Sequence, residues 1–467
     1  MSNYYDDLLQ LCGWEIEEIE NERPRIEKTF QRLELGPEDM ETADAWVRQN
    51  HDVTLMGVRK LLGAWLKELI DLILAKDEGK KIVYYSFPTV VRPGMLIAAS
   101  AEGTYVGGPD VILCHTMGQI FNKLTPILEA GEENGLPPGH ALCSIWQVKV
   151  GALAKGIIPP PDMAIASSYF CDMGSKADDL LAEIYGTPIE YVDGTMDSAW
   201  GEYPDYLPER AEFLGAQFNQ LFDKVKEVMG FEVDIKAWDK VMPTIRQYFG
   251  DLYRIFELMQ ADPVPVSSVE VELASILAVA CTGRGIAEGA KAIKILIPEI
   301  EKRVEENMGV AEKGAPRVMI VLPSFSDPSI VRMIENTGLA IPICALDVRV
   351  QPPPPKVQYN TVGERIADGE IRGGVGLFHS SFGTCHRMAA NLEQVKGIDG
   401  FIYNYQFNCR PVAQVSHSLK RWVEEKTGVP CLSLENDIGD SRSYSAAAMR
   451  TRVETFAEML KTRKVAN

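Results

Sequence analysis

PDMAIASSYFCDMGSKADDLLAEIYGTPIEYVD, residues 161–193, decides the fold. Its apolar run Asp162-Met163-Ala164-Ile165-Ala166 reads as a buried strand leading to Cys171. An amphipathic stretch follows and reads as a helix, stopped by Gly186-Thr187-Pro188. A second apolar run over 188–192 reads as a strand and ends in Asp193. GFIYNYQFNCRPVAQVSHSLKRWVEEKTGVPCLSLENDI, residues 400–438, repeats this grammar: strand, Cys409, helix, Gly428-Val429-Pro430, strand, Asp437. A third cysteine, Cys143 in HALCSIWQVKVGAL (140–153), falls where another strand is expected to end. In open α/β sheets, strand ends and the helix N-termini that follow them face one crevice, where ligands bind. Three thiolates converging there can hold an iron–sulfur cluster and leave one iron free.

Outward from these units the alternation continues. KKIVYYSF (80–87) reads as a buried strand stopped by Pro88, and residues 109–113 read as another, running into Cys114. GTYVGGPD (103–110) is glycine-rich without a dinucleotide fingerprint and reads as a turn. A second alternation begins at Pro316. RVMIVLPS is a strand, SDPSIVRMIENTG a helix closed by Gly338, and IPICALDV a strand. QPPPP (351–355) is a stiff loop, and a helix at 443–462 closes the chain. Residues 4–35 and 37–76 read as helices, the second with a wide apolar stripe through Val58, Leu61, Trp65, Leu69 and Ile73. Residues 208–310 return to helix, with a kink or boundary expected at Pro298. The expected layout is an N-terminal helical region (1–76), a first α/β domain with Cys143 and Cys171 (77–207), a helical bridging segment (208–314), and a second α/β domain with Cys409 (315–467).

Composition sets the limits. The 467 residues carry 66 acidic and 47 basic side chains, a formal net charge of −19. Broad nucleic-acid binding needs basic surface, so it is not expected. One local basic pocket for an anionic ligand remains compatible with that charge. No apolar run has the roughly 18–20 residues of a membrane helix, and the start MSNYYDDLLQ is polar and acidic. The expectation is a cytoplasmic chain, in which thiols serve metals or catalysis more often than disulfides.

Nine cysteines are scattered through the sequence. Cys12, Cys281, Cys344 and Cys431 read as small buried hydrophobes. Cys114 and Cys385 stay open between extending a thiolate set and lying free near the cleft, and His115 and His386 follow them directly. There is no CxxC pair, which argues against a zinc ribbon or a ferredoxin. The candidate ligands Cys143, Cys171 and Cys409 therefore have to be gathered by the fold.

The segments around Cys143, Cys171 and Cys409, with the tail LENDIGDSRSYSAAAMRTRVETFAEML, resemble the catalytic subunits of the 2-hydroxyacyl-CoA dehydratase and benzoyl-CoA reductase superfamily. The resemblance covers roughly residues 80–200 and 375–460. It implies an α/β fold of two flavodoxin-like parallel-sheet domains plus a helical part. It implies a 4Fe-4S cluster held by Cys143, Cys171 and Cys409, with the fourth iron open. A branch with a sulfide-bridged double cubane would have to recruit Cys114, Cys385 and Cys344 as well. One departure stands out. The family has a glutamate two residues after a proline beyond the first strand, and SFPTVVRPG places Val90 there.

The implied reaction is the one-electron, ketyl-radical elimination of water from a 2-hydroxyacyl-CoA. The alternatives are a benzoyl-CoA reductase-type subunit and a non-catalytic electron-transfer protein of the same fold. The resemblance also implies a second related subunit, or a second copy, and an ATP-dependent iron–sulfur activator. The chain has no GxxxxGK[ST] loop, so it does not read as that ATPase. Ser144, Asn408 and Arg410 are the candidate catalytic residues beside the mapped ligands. Ser167, Ser168, His379, Ser380 and Ser381 are further candidates for the pocket wall. The stripe on residues 55–75 is expected to serve assembly into a dimer.

Overall fold

The computed structural model describes residues 3–86, 90–137, 143–168, 171–194, 205–321, 326–344, 354–355, 358–372, 392, 395 and 397–466. Its frame is two four-stranded, all-parallel sheets. The first holds β1 (Lys81–Tyr85), β2 (Thr104–Gly107), β3 (Met163–Ser167) and β4 (Ile189–Val192) in the order β2-β1-β3-β4. The second holds β5 (Arg317–Val321), β6 (Ala340–Cys344), β7 (Gly400–Gln406) and β8 (Cys431–Asn436) in the order β6-β5-β7-β8. The two sheets thus share one flavodoxin-like topology, with its reversal of direction between the first and third strands. Parallel sheets are covered on both faces, so their central strands are continuously apolar rather than alternating. β3 and β5 are buried at every position.

Where the structure departs from the sequence reading, the cause is local. The strand expected at 109–113 is the helix Pro109–Leu113, which runs into a π-helical turn, Cys114–Ile120. Pro109 fits the first turn of a helix, where its missing N–H costs nothing. The segment is buried all round, so its apolar run carried no period to separate helix from strand. The strand lies just before it, in the stretch read as a turn: β2 pairs with β1 in the register Lys81↔Thr104. Cys114 consequently does not end a strand. Pro298 does not end its element, since Arg284–Glu305 is one helix with Ile293, Leu296 and Ile300 buried on both sides of the proline. Residues 37–76 form two helices, Pro37–Asn50 and Met56–Leu74.

The apolar stripe of Met56–Leu74 is consumed inside the chain, which corrects its expected role in assembly. A Cβ on Gly57 would stand 2.4 Å from the Leu296 Cβ, so the helix Arg284–Glu305 lies directly on it. Trp65 is fully buried, donates its indole N–H to the Leu273 carbonyl at 3.1 Å, and stacks on His115 at 4.5 Å. Losing such a side chain costs about 3–5 kcal/mol, so this face is core.

The helix Ser268–Ala280 ties the two sheets together. The Gly108 amide donates to the Ala280 carbonyl at 3.2 Å, and Arg332 pairs with buried Glu270 at 2.6 Å. Beside that pair, buried His51 places Nε2 3.2 Å from the Gln119 carbonyl, so this nitrogen carries the proton and donates. Burial, helped by Arg332, holds the His51 pKa down to about 3. Between that value and the ordinary 6.5 of histidine, only the unfolded chain takes up the proton. His51 therefore withdraws stability as pH falls through 6.5, by about 1.4 kcal/mol per pH unit. Urea titrations between pH 7 and 5 should show the stability gap between wild type and His51→Gln narrowing at that rate. A gap independent of pH would contradict a buried, neutral His51.

Candidate functional site

Cys143, Cys171 and Cys409 are each the N-cap residue of a helix: Ser144–Ala154, Asp172–Tyr185 and Arg410–Thr427. Cys171 follows β3 and Cys409 follows β7, the equivalent strands of the two sheets. Both stand beside the reversal point, where ligands of this topology bind. Cys143 arrives differently. The element before it among the described residues is the helix Thr125–Glu133, and the strand expected to lead into Cys143 falls on residues 138–142, outside the described residues.

The three thiols feel one another. Burial pushes the Cys143 pKa well up, and the thiols of Cys409 and Cys171 push it further. Burial raises Cys409 to about 12, with Cys171 adding to it. Cys171 is half-buried and is also raised, chiefly by desolvation. None of the sulfurs closes a full capping hydrogen bond. The amides of Ile145, Met173 and Val412 nonetheless lean toward their respective thiolates and favour them. The site thus collects three neutral thiols at the positive ends of three helix dipoles, where negative charge is welcome once a metal displaces the protons.

Each pair of cysteines is held by its own brace. The Ser144 hydroxyl and the Asn408 amide both donate to the Asp437 carboxylate, which links the residues next to Cys143 and Cys409. Asp437 also accepts the amides of Gly439 at 2.8 Å and Asp440 at 3.0 Å. Burial raises its pKa to about 6, against the pull of these donors. Arg410 meets Asp172 at 2.5 Å, linking the residues next to Cys409 and Cys171. The third brace is a fully buried ion pair, Lys149 with Asp178, joining the helices capped by Cys143 and Cys171. Ser86 at the end of β1 donates to the other Asp178 oxygen at 2.5 Å, and Lys149 lies 5.0 Å over the Trp146 ring. Removing one partner of such a pair strands a buried charge and costs about 3–5 kcal/mol.

The sequence placed Ser144, Asn408 and Arg410 at the site, and their hydrogen bonds here are those of positioning residues. Ser168 donates to Asp193 at 2.5 Å, whereas the buried Ser167 hydroxyl has no hydrogen-bond partner among the described residues. Asp437, Lys149 and Asp178 were missed as functional residues. Only the strand-ending Asp of the 400–438 unit hinted at the first. Cys114 borders the site: its sulfur lies 3.7 Å from where a Cβ on Gly439 would sit, and Asp437 helps raise its pKa. Cys344 packs in the core of the second sheet, and Cys431 starts β8. Cys12 and Cys281 are buried in the main core. His379, Ser380, Ser381, Cys385 and His386 lie outside the described residues. Val90, in the place of the family glutamate, is buried and takes a left-handed backbone at φ 59°. That conformation is costly for a β-branched side chain.

Among the described residues, no three His, Cys, Asp or Glu side chains gather tightly enough to hold a single metal ion. The donor set fits a larger thiophilic group instead. A multi-atom cluster brings its own sulfides and needs soft thiolates spread around it rather than drawn to one point. Three braced helix caps supply that.

Two parallel sheets of one topology, meeting at an edge that carries three helix-capping thiols, define a class of α/β protein built around a shared crevice. The chain belongs to the family described as 2-hydroxyglutaryl-CoA dehydratase, D-component, whose model matches residues 111–460. It is 23% identical over 407 residues to the (R)-2-hydroxyisocaproyl-CoA dehydratase alpha subunit of Clostridioides difficile, covering 79% of this chain and 93% of that one. It is 22% identical over 329 residues to the (R)-phenyllactyl-CoA dehydratase alpha subunit of Clostridium sporogenes, covering 70% and 78%. It is 21% identical over 351 residues to a benzoyl-CoA reductase subunit of Thauera aromatica, covering 69% and 78%. Among the described residues no helix is long and apolar enough to cross a membrane.

Proposed function

We propose that this chain is the cluster-bearing subunit of a 2-hydroxyacyl-CoA dehydratase-type enzyme of the cytoplasm. The observation that supports the reading is that hydrogen bonds and ion pairs tie together the helix caps formed by Cys143, Cys171 and Cys409. These three thiolates would hold a 4Fe-4S cluster. Bound there, the cluster supplies a low-potential electron and one open coordination position for the one-electron, ketyl-radical elimination of water from an acyl thioester. The chain's own residues fix the geometry. Asp437 sets Cys143 against Cys409, Asp172 with Arg410 sets Cys409 against Cys171, and Lys149 with Asp178 sets Cys171 against Cys143. Ser144, Asn408 and Arg410 orient the crevice wall toward the substrate.

The relatives are themselves named as subunits, which supports a chain that works with a related subunit or a second copy. An ATP-dependent iron–sulfur activator would deliver the electron. A second reading, reduction of an aromatic acyl-CoA, draws on the Thauera aromatica match. It also draws on Val90, which leaves that position without a carboxylate. Anaerobic purification with iron and sulfide analysis tests the common part. About four of each per chain are expected. A chain that stays free of iron after anaerobic reconstitution would sink both readings.

A further inference from the structure

In a chain of net charge −19, four arginines surround one cavity of about 380 Å³. Arg92, Arg246, Arg365 and Arg372 line it, with Trp238 and Tyr359 in the same wall. Three helices far apart in sequence contribute them: Val91–Ser100, Ile235–Leu258 and Val362–Arg372. Arg92 is the second residue of the helix that follows β1, and β1 pairs with β3, the strand that leads to Cys171. One wall of the cavity is therefore the start of the helix that follows β1.

The protein balances these charges only in part. Arg372 donates to Asp368 at 2.5 Å, and the hydroxyls of Tyr206 and Tyr359 donate to the same carboxylate. The Arg92 charge faces the buried Glu370 carboxylate and its amide leans toward it, but among the described residues no full hydrogen bond closes on either Glu370 oxygen. Arg365 has only Asp239, at 3.8 Å and exposed, and Arg246 has no ion-pair partner among the described residues. Gathered guanidinium groups repel, and an arriving anion relieves that repulsion. Guanidinium forks match phosphate oxygens in pairs, and aromatic walls suit a purine.

We propose that this cavity binds the 3′-phosphorylated adenosine diphosphate end of a coenzyme A thioester. The assignment rests on the acyl-CoA reading above. A free nucleotide such as ATP offers the same chemistry, so the test separates the two. Calorimetric titration of the whole chain uses coenzyme A, dephospho-coenzyme A and ATP. Wild type should bind coenzyme A more tightly than either of the others, and less tightly as salt screens the phosphates. The double variant R246Q/R365Q should bind coenzyme A at least about tenfold more weakly with an unchanged melting temperature, because both side chains are exposed. Equal coenzyme A affinity in wild type and variant would overturn the cavity assignment and leave the acyl-CoA reading standing. ATP bound more tightly than coenzyme A, and lost in the variant, would assign the cavity to free nucleotide and overturn the proposal. Wild type that binds none of the three would count against both.

Discussion

Cys171→Ala is expected to lose most of the bound iron and all acyl-CoA turnover while the chain stays folded. Cys431→Ala is expected to keep both iron and activity. Both thiols are only half-buried, so truncation costs each fold no more than about 1 kcal/mol. The contrast therefore does not come from stability. Cys171 caps its helix beside Cys409 and Cys143. Cys431 begins β8, at the opposite end of the strand from Asp437, and its thiol donates to the carbonyls of Val429 at 3.7 Å and Lys420 at 3.9 Å. A cluster held by three thiolates loses a third of its protein ligands in the first variant and none in the second. Iron per chain and melting temperature, measured on anaerobically prepared proteins, check this. Equal iron in the two variants would mean that other cysteines hold the metal.

What the sequence revealed and what it hid follow from distance along the chain. The units at 161–193 and 400–438 were legible because strand, cap, helix and Gly-x-Pro stop are all local signals. Their equivalence was enough to place Cys171 and Cys409. Cys143 was read as an element boundary from the polar and small residues around it, and it is the N-cap of the helix Ser144–Ala154. The region 103–120 was misread because a fully buried helix shows no period and a short strand ending in glycines looks like a turn. The braces were out of reach. Ser144 and Asp437 are 293 residues apart, and Lys149 and Asp178 reveal their pairing only once two helices pack. The arginine cavity is hidden in the same way, its residues scattered over three helices within an acidic sequence. The stripe around Trp65 was read correctly as apolar, but sequence does not say whether such a face meets its own chain or another. Here the helix Arg284–Glu305 takes it.

Asp437→Ala should be among the most destabilising single substitutions at the site, although Asp437 is not a candidate ligand. Its carboxylate receives four donors: the Ser144 hydroxyl, the Asn408 amide, and the backbone amides of Gly439 and Asp440. Ser144 and Asn408 are buried, so alanine takes from each the acceptor that Asp437 supplies, with little water to replace it. Each buried donor left unsatisfied costs about 1–3 kcal/mol. Relaxation of the two backbone amides trims the sum, and the expected loss is about 3–5 kcal/mol, a large part of the roughly 5–15 kcal/mol that holds a domain folded. Asp437→Asn should cost less, since an amide keeps one acceptor and both Ser144 and Asn408 can reorient to meet its donor. The substitution also removes the tie between the residues next to Cys143 and Cys409, so iron uptake on anaerobic reconstitution should fall further than the stability loss alone explains. Urea unfolding of the iron-free proteins gives the first quantity, and iron per folded chain gives the second. An Asp437→Ala variant within about 1 kcal/mol of wild type would show that Ser144 and Asn408 find other acceptors, and that the first and second sheets are held in place at this edge by something other than Asp437.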